Sequence, residues 1–227
     1  MDAPDALASA AAGMRLQADR LDVIAQNLAN ASTPGYRERA WSLTQFGDQL
    51  RSQVMPQERQ GTLRRTGVAT DVALVGRGYF AVATPEGVRY TRDGRLGLNA
   101  DGSLVDIRGN RILGALGPVQ FPRGAHIDPD GRIVADGRPV DRLRIVCFPG
   151  GSLAVDGSYV YASAGSVPTR ASTTVHTGYL EESGVEPIAE MTALVSAQRE
   201  YEANQKVAQR ADETLRRAVT DVPAVRQ

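Results

Sequence analysis

The stretch Leu7-Ala8-Ser9-Ala10-Ala11-Ala12-Gly13-Met14-Arg15-Leu16-Gln17-Ala18-Asp19-Arg20-Leu21-Asp22-Val23-Ile24-Ala25-Gln26-Asn27-Leu28 decides how this chain is built. Within it Leu7, Ala11, Met14, Ala18, Leu21, Ala25 and Leu28 recur at alternating intervals of four and three. That is the period of a coiled-coil seam, narrower than the stripe of an ordinary surface helix, and such a seam is buried only by another helix. Upstream, Pro4 and Asp5 suit a first turn: the proline lacks an N–H that is not needed there, and the aspartate faces the positive end of the helix dipole. Downstream, Thr33-Pro34-Gly35 stops the helix, because the residue before a proline is pushed out of the α region.

The far end repeats the design. After Gly184, Val185-Glu186-Pro187 reads as a helix start, and Leu194, Ala197, Tyr201, Asn204, Ala208, Ala211, Leu215 and Ala218 again alternate by three and four. Arg216 and Arg217 lie where the helix dipole favours cations, and Pro223 closes the segment. Two seams in one chain most simply pair with each other, giving helices of roughly 40 to 50 Å from the rise per residue. The small residues along both seams let the axes approach closely.

Between the seams the period changes. Short β-type runs at 72–75, 79–82, 88–91, 95–98, 103–106, 132–134 and 143–148 are separated by Pro85-Glu86-Gly87, Asp93-Gly94, Asp101-Gly102, Asp130-Gly131 and Asp136-Gly137. Asp-Gly between such runs predicts hairpins, since both residues tolerate the positive φ of a tight turn. The run 98–105 resembles 127–134, which hints at a repeated hairpin but is too little for a solenoid. The expected fold is therefore α+β: N- and C-terminal helices pairing as a coiled coil, with a central, mostly antiparallel β domain. The expected boundaries are 1–31 for the first helix, 32–69 for a connecting arm and 70–165 for the β domain. A second arm follows at 166–184 and the last helix at 185–222. The arms are polar with scattered apolar points at Trp41, Leu43, Phe46, Leu50 and Val54, and read as extended or part-helical.

The composition excludes several classes of function. Formal charge is zero and the pI about 6.8, so no overall field draws the chain to nucleic acid or anionic lipid. Arg64-Arg65 is a lone doublet without interleaved aromatics. No stretch approaches the roughly 20 apolar residues that span a bilayer, so no membrane insertion is expected. The acidic start at Asp2 and Asp5 lacks the pattern of a cleaved secretory signal. Cys147 has no second cysteine to pair with and reads as a strand residue of the core.

Catalytic and metal-binding patterns fail one by one, and no cofactor is expected. His126 and His176 have no companions at ligand spacing. Calcium-loop templates placed on Asp128 and on Asn99 lack the final glutamate, because Gly137 and Arg108 stand there. Gly76-Arg77-Gly78 lacks the lysine of a phosphate loop and runs into a strand. There is no Gly-x-Ser-x-Gly elbow. Glu181 and Glu182, adjacent in sequence, point apart in a strand and read as a solvated rim.

The ends of the chain carry a resemblance. Asn27-Leu28-Ala29-Asn30-Ala31-Ser32-Thr33-Pro34-Gly35-Tyr36-Arg37 is similar to the N-terminal signature of the bacterial flagellar rod and hook proteins. Tyr179-Leu180-Glu181-Glu182-Ser183-Gly184-Val185-Glu186-Pro187, with Glu190-Met191 and the run 197–206, resembles the C-terminal signature of that family. Residues 71–80 and Tyr90-Thr91-Arg92-Asp93-Gly94 resemble its central block. Gly184 stands where the family usually has asparagine. The short stretch between the N-terminal signature and Asp71 resembles the rod members, and among them the proximal-rod type more than the distal rod or hook.

The resemblance implies a non-enzymatic subunit, exported unfolded by the flagellar type III apparatus without a cleaved signal. It would assemble in the periplasm with other rod subunits and copies of itself into a hollow, torque-transmitting rod. The assembly interface would then be Leu7, Ala11, Met14, Ala18, Leu21, Ala25, Leu28, Leu194, Ala197, Tyr201, Ala208, Ala211 and Leu215. Asn27, Asn30 and Asn204 would be polar contacts that fix register. For Asn30 a helix-end cap is the competing reading. A reading of a different class is a secreted β-domain binding module that its helices merely oligomerise.

Overall fold

A computed structural model describes residues 3–46, 49–57, 59–148, 153–156, 159–162, 169–171 and 173–220. Helix α1 (Ala3–Ala29) opens the chain. It is followed by β1 (Arg39–Phe46), β2 (Gln49–Pro56), β3 (Leu63–Arg65), β4 (Val72–Val75), β5 (Tyr79–Thr84) and β6 (Gly87–Thr91). Next come β7 (Gly97–Leu98), β8 (Leu104–Val105), β9 (Arg111–Ile112), β10 (His126–Ile127), β11 (Arg132–Ala135) and β12 (Arg138–Arg142). Then follow β13 (Ile145–Cys147), β14 (Leu153–Asp156), β15 (Tyr159–Ala162), β16 (Thr169–Arg170), β17 (Thr174–Thr177), β18 (Tyr179–Glu181) and helix α2 (Pro187–Thr220). The chain divides into a helical unit, residues 1–29, 41–54 and 186–227, and a β unit, residues 30–40 and 55–185.

In the helical unit α1 and α2 pack on each other, as paired seams at the two ends of the chain predict. Neither helix is long and apolar enough to cross a membrane, among the described residues. The third component is the two-stranded sheet β1–β2. It occupies much of what reads in sequence as the first arm, and the alternation of Trp41 and Leu43 is the strand signal there. Side chains at 44–53, Phe46 and Leu50 among them, lie outside the described residues, as do Pro223 and the side chains of Leu7, Leu215 and Ala218.

The β unit is built on β5. Its alternating side chains serve two cores: Phe80 and Val82 point to one side with Val72, Leu74, Leu104, Ile112, Val119 and Ile133, and Tyr79 and Ala81 to the other with Tyr90, Val146, Phe148 and Val160. Burial on both faces explains why 79–84 reads as an almost continuous apolar run. β5 pairs antiparallel with β6, β9 and β13, and the Tyr90 and Phe148 rings meet edge-on at 4.8 Å. Cys147 lies on β13 as expected, but at its half-exposed margin, with Sγ 3.2 Å from the Thr169 hydroxyl. β3, β17 and β18 also belong here: β17 pairs with β4 and β18 with β3, so residues on both expected arms are strands of the β unit.

The hairpin repeat is real and has a third copy. Asn99, Asp106 and Asp128 each receive a bond from the N–H of the glycine three residues on, Gly102, Gly109 and Gly131. Each also donates its own N–H to the carbonyl four residues on, at Ser103, Asn110 and Arg132. The three glycines have φ of 75°, 84° and 81°. This is the three-residue hairpin that ends in a glycine bulge. At the second copy Asp106 also accepts the Tyr159 hydroxyl, and burial, reinforced by that bond, pushes the Tyr159 pKa up to about 12. Asp93-Gly94 departs from the hairpin expectation. Gly94 has no positive φ, and it is glycine because a Cβ there would fall 1.6 Å from the Val72 carbonyl oxygen.

Candidate functional site

Two arrangements carry the family signatures, one in each unit. In the helical unit the pairing is antiparallel, since partner numbers fall along α2 as they rise along α1. Gly13 faces Asn204, whose amide nitrogen would lie 3.1 Å from a Cβ at Gly13. Gln17 Nε2 donates to Glu200 at 2.7 Å, and Arg20 reaches the same carboxylate at 3.1 Å. Asn27 Nδ2 donates to Glu190 at 3.1 Å, and its side chain is 1% exposed. The Arg20 guanidinium also lies 5.9 Å from the Trp41 ring centroid.

The inward stripe of α2 follows the sequence reading. Ala197 is fully buried, and Leu194, Tyr201, Asn204, Ala208 and Ala211 are half-buried. On α1 the residues that reach α2 are instead Gly13, Gln17, Arg20 and Asn27, with buried Ala10 and Ile24 in helical register with them. The heptad seam is rotated away from them. Ala11, Ala18 and Ala25 are exposed, and Met14, Leu21 and Leu28 half-buried. Hydrophobicity alone could not separate the two stripes, because the contact face is polar at Gln17, Arg20 and Asn27. Asn30 sits beyond α1, where its backbone and side-chain oxygens accept the N–H and hydroxyl of Thr33. It closes the turn that ends the helix.

The β unit holds a buried charge cluster that joins the three signature segments. Glu181, on β18, is 2% exposed. Its carboxylate receives Arg92 at 2.7 and 2.8 Å, Arg37 at 3.3 Å and the Gly61 N–H at 3.1 Å. The remaining Arg92 N–H groups go to the carbonyls of Gly76, Gly78 and Leu74 at 2.7 to 2.8 Å. All five guanidinium donors are thus used. Burial pushes the Arg92 pKa below its ordinary value, and the Glu181 carboxylate opposes that shift. Arg37 also donates to the Arg59 carbonyl.

Backbone contacts complete this clasp: Gly35 N–H donates to the Glu181 carbonyl at 2.8 Å and Gly184 N–H to the Tyr36 carbonyl at 3.0 Å. Gly35 has φ of 67°, and a Cβ on it would fall 2.3 Å from the Arg92 carbonyl. Only glycine fits there. Glu181 and Glu182 do point apart, but the solvated rim holds for Glu182 alone, which binds Thr62 and Arg64 at the surface. Glu181 instead faces into the β unit, where two arginines compensate its charge. The pairing of residues 37, 92 and 181 was not visible in sequence. The one available signal was that each charge lies inside a signature segment.

Comparisons with known proteins fall on the same segments. Residues 7–37 match the family model described as flagella basal body rod protein. Residues 73–137 match the flagellar hook protein FlgE/F/G D1 domain, and 176–221 the flagellar basal body rod FlgEFG protein C-terminal. The chain is 32% identical over 209 residues to the flagellar basal-body rod protein FlgF of Mesorhizobium japonicum, covering 81% of this chain and 83% of that one. It is 34% identical over 200 residues to FlgF of Rhizobium meliloti, with coverage of 81% and 83%. It is 31% identical over 250 residues to FlgG of Agrobacterium fabrum, with coverage of 92% and 95%.

Proposed function

Because this chain belongs to the flagellar basal-body rod protein family, of the FlgF/FlgG type, we propose that it polymerises through α1 and α2 into the hollow rod that transmits motor torque. It is a structural subunit of the bacterial flagellar basal body and assembles with other rod components. The observation that carries the polymer reading is the heptad seam of α1. The edge through Ala11, Met14, Ala18, Leu21, Ala25 and Leu28 is exposed at its alanines and only half-buried at Met14, Leu21 and Leu28, and such an edge lowers its free energy by meeting another helix.

The neighbours in this reading are copies of the chain and other rod subunits in a helical array. The subunit acts by shape and contact rather than by chemistry. It reaches the periplasm unfolded through the flagellar export apparatus. The short stretch between the N-terminal signature and Asp71 favours the proximal rod. The residues of the α2 inward stripe contribute by holding the helix pair in the form that presents the edge.

The test is Leu21→Asp. A charge on the seam leaves the β unit folded but prevents incorporation into basal bodies, so motility is lost. Normal swimming with the variant present in the rod would overturn the proposal.

A further inference from the structure

An aspartate followed by glycine can cyclise on the next amide, because glycine has no side chain to hinder the approach. Five such pairs occur, at 93–94, 101–102, 130–131, 136–137 and 156–157. Gly157 lies outside the described residues, and the fold treats the other four unequally. The Asp93 carboxylate is held by the N–H and guanidinium of Arg95 at 2.6 to 3.2 Å, and Gly94 is closed in by the Val72 carbonyl. Asp101 pairs with Arg111 at 3.1 Å, and the Gly102 N–H donates to the Asn99 carbonyl at 3.0 Å. Asp130 pairs with Arg132 at 3.0 Å, and the Gly131 N–H donates to the Asp128 carbonyl at 2.8 Å. Asp136 has neither restraint. Among the described residues, its carboxylate and the Gly137 N–H have no hydrogen-bond or ion-pair partner. Both residues are exposed, and nothing lies within 4 Å of the place a Cβ on Gly137 would take. Asp136 has φ of 50°, the one left-handed residue other than glycine among the described residues, and Gly137 has 72°. Two successive positive φ values make the primed two-residue turn between β11 and β12, closed by the Ala135 and Arg138 pair. Strain is thus stored at the residue whose side chain is free to react.

We propose that Asp136-Gly137 is a site of spontaneous covalent modification, where aspartate isomerises to an isoaspartyl linkage and so becomes a substrate for a carboxyl methyltransferase specific for that linkage. The Gly137 amide nitrogen attacks Asp136 Cγ. The N–Cγ bond forms, the Cγ–OH bond breaks, and the amide proton leaves with the hydroxyl as water. Water then opens the five-membered imide. Cleavage at Cγ restores aspartate, whereas cleavage at the Asp136 backbone carbonyl leaves the chain running through Cβ and Cγ with a free α-carboxylate. The step needs no oxidant and no cofactor. At Asp136 the attacking geometry is reached without breaking a hydrogen bond, while at Asp101 and Asp130 the glycine bond and the ion pair must be given up first. The product adds main-chain length to a two-residue turn, and turn length sets the register of a hairpin. Pro139 supplies no ladder donor and the register already shifts between Ile133 and Val134, so the turn carries more of this pairing than usual. Isomerisation therefore loosens β11 against β12, and with it the buried Ile133.

The experiment ages the full-length chain at neutral pH, folded in buffer and unfolded in urea. Isoaspartate is read in two ways: labelled methyl transfer by purified isoaspartyl methyltransferase, and peptide mapping with fragmentation that tells the two linkages apart. In the folded chain, isoaspartate at position 136 is expected to exceed that at 93, 101 or 130 by about tenfold or more, on the scale by which a misplaced nucleophile slows a reaction. In urea the preference disappears. Equal accumulation at the four sites of the folded chain, or a preference for another of them, would overturn the proposal. A second measurement keeps the test decisive where aspartate reacts too slowly to follow. Asp136→Asn forms the same imide by loss of ammonia, with a mass gain on hydrolysis, and is expected to convert about tenfold or more faster than Asp101→Asn in the folded chain. Equal rates for the two folded variants would also sink it.

Discussion

At Glu181 two guanidinium groups, one backbone N–H and a strand pairing converge on a carboxylate that water does not reach. A buried ion pair adds little net stability over apolar packing, but removing one partner strands the other charges in low dielectric. Glu181→Ala is therefore expected to cost about 3 to 5 kcal/mol in urea unfolding of the β unit. Glu182→Ala, one residue along on the exposed side, should stay within about 0.5 kcal/mol. Equal effects of the two changes would mean that the clasp does not hold the fold. Sequence reasoning places Arg37, Arg92 and Glu181 inside recognisable segments, gives the two arginines no role and reads Glu181 as solvated rim, which its 2% exposure overturns. Charges that pair across 89 and 144 positions leave no local pattern. Gly35 was legible as a helix stop, while its second constraint, the Arg92 backbone against it, exists only in the fold.

At the scale of the helix, the pair is set by polar contacts as much as by apolar ones. The contacts of Gln17, Arg20 and Asn27 with the two glutamates define one antiparallel register, because a slip by one turn takes the buried Asn27 amide away from Glu190 and breaks the surface contacts to Glu200. Gly13 lets the helices close over Asn204. Gly13→Leu overfills that point and should destabilise the helical unit by about 1 to 3 kcal/mol. Trp41, the only tryptophan, lies in the helical unit, so its fluorescence reads this loss separately from the tyrosine-rich β unit. An unchanged tryptophan transition would show that the helices do not meet at Gly13. Both helices, and the inward stripe of α2, were legible from heptad spacing. The inward stripe of α1 was not, since its contact residues are polar or glycine and no hydrophobic count would choose them.

For the whole molecule, the division into two units changes what a protease should leave behind. The sequence suggested a β domain from 70 to 165 between arms, and a fragment of that size would be its protected core. In the fold, β3 pairs with β18 and the clasp ties residues 35–37 to 181–184. Limited proteolysis of the dilute chain is therefore expected to trim the terminal helices and leave a core held together from about residue 30 to about residue 185. Recovery of a stable piece near 70–165 would count against the clasp, and full-length resistance of the monomer would count against helices made for an array. By itself the sequence determined the two helices, the change of period between them, the repeated Asn/Asp-x-x-Gly turns and the family, because each is written in spacings of a few residues or in contiguous signatures. The tertiary structure alone decided which face of α1 is covered, which carboxylate is buried and where the β unit ends. Each of those depends on residues far apart in the chain being brought within a few ångströms, and on competition among faces that look equally apolar or equally charged in one dimension.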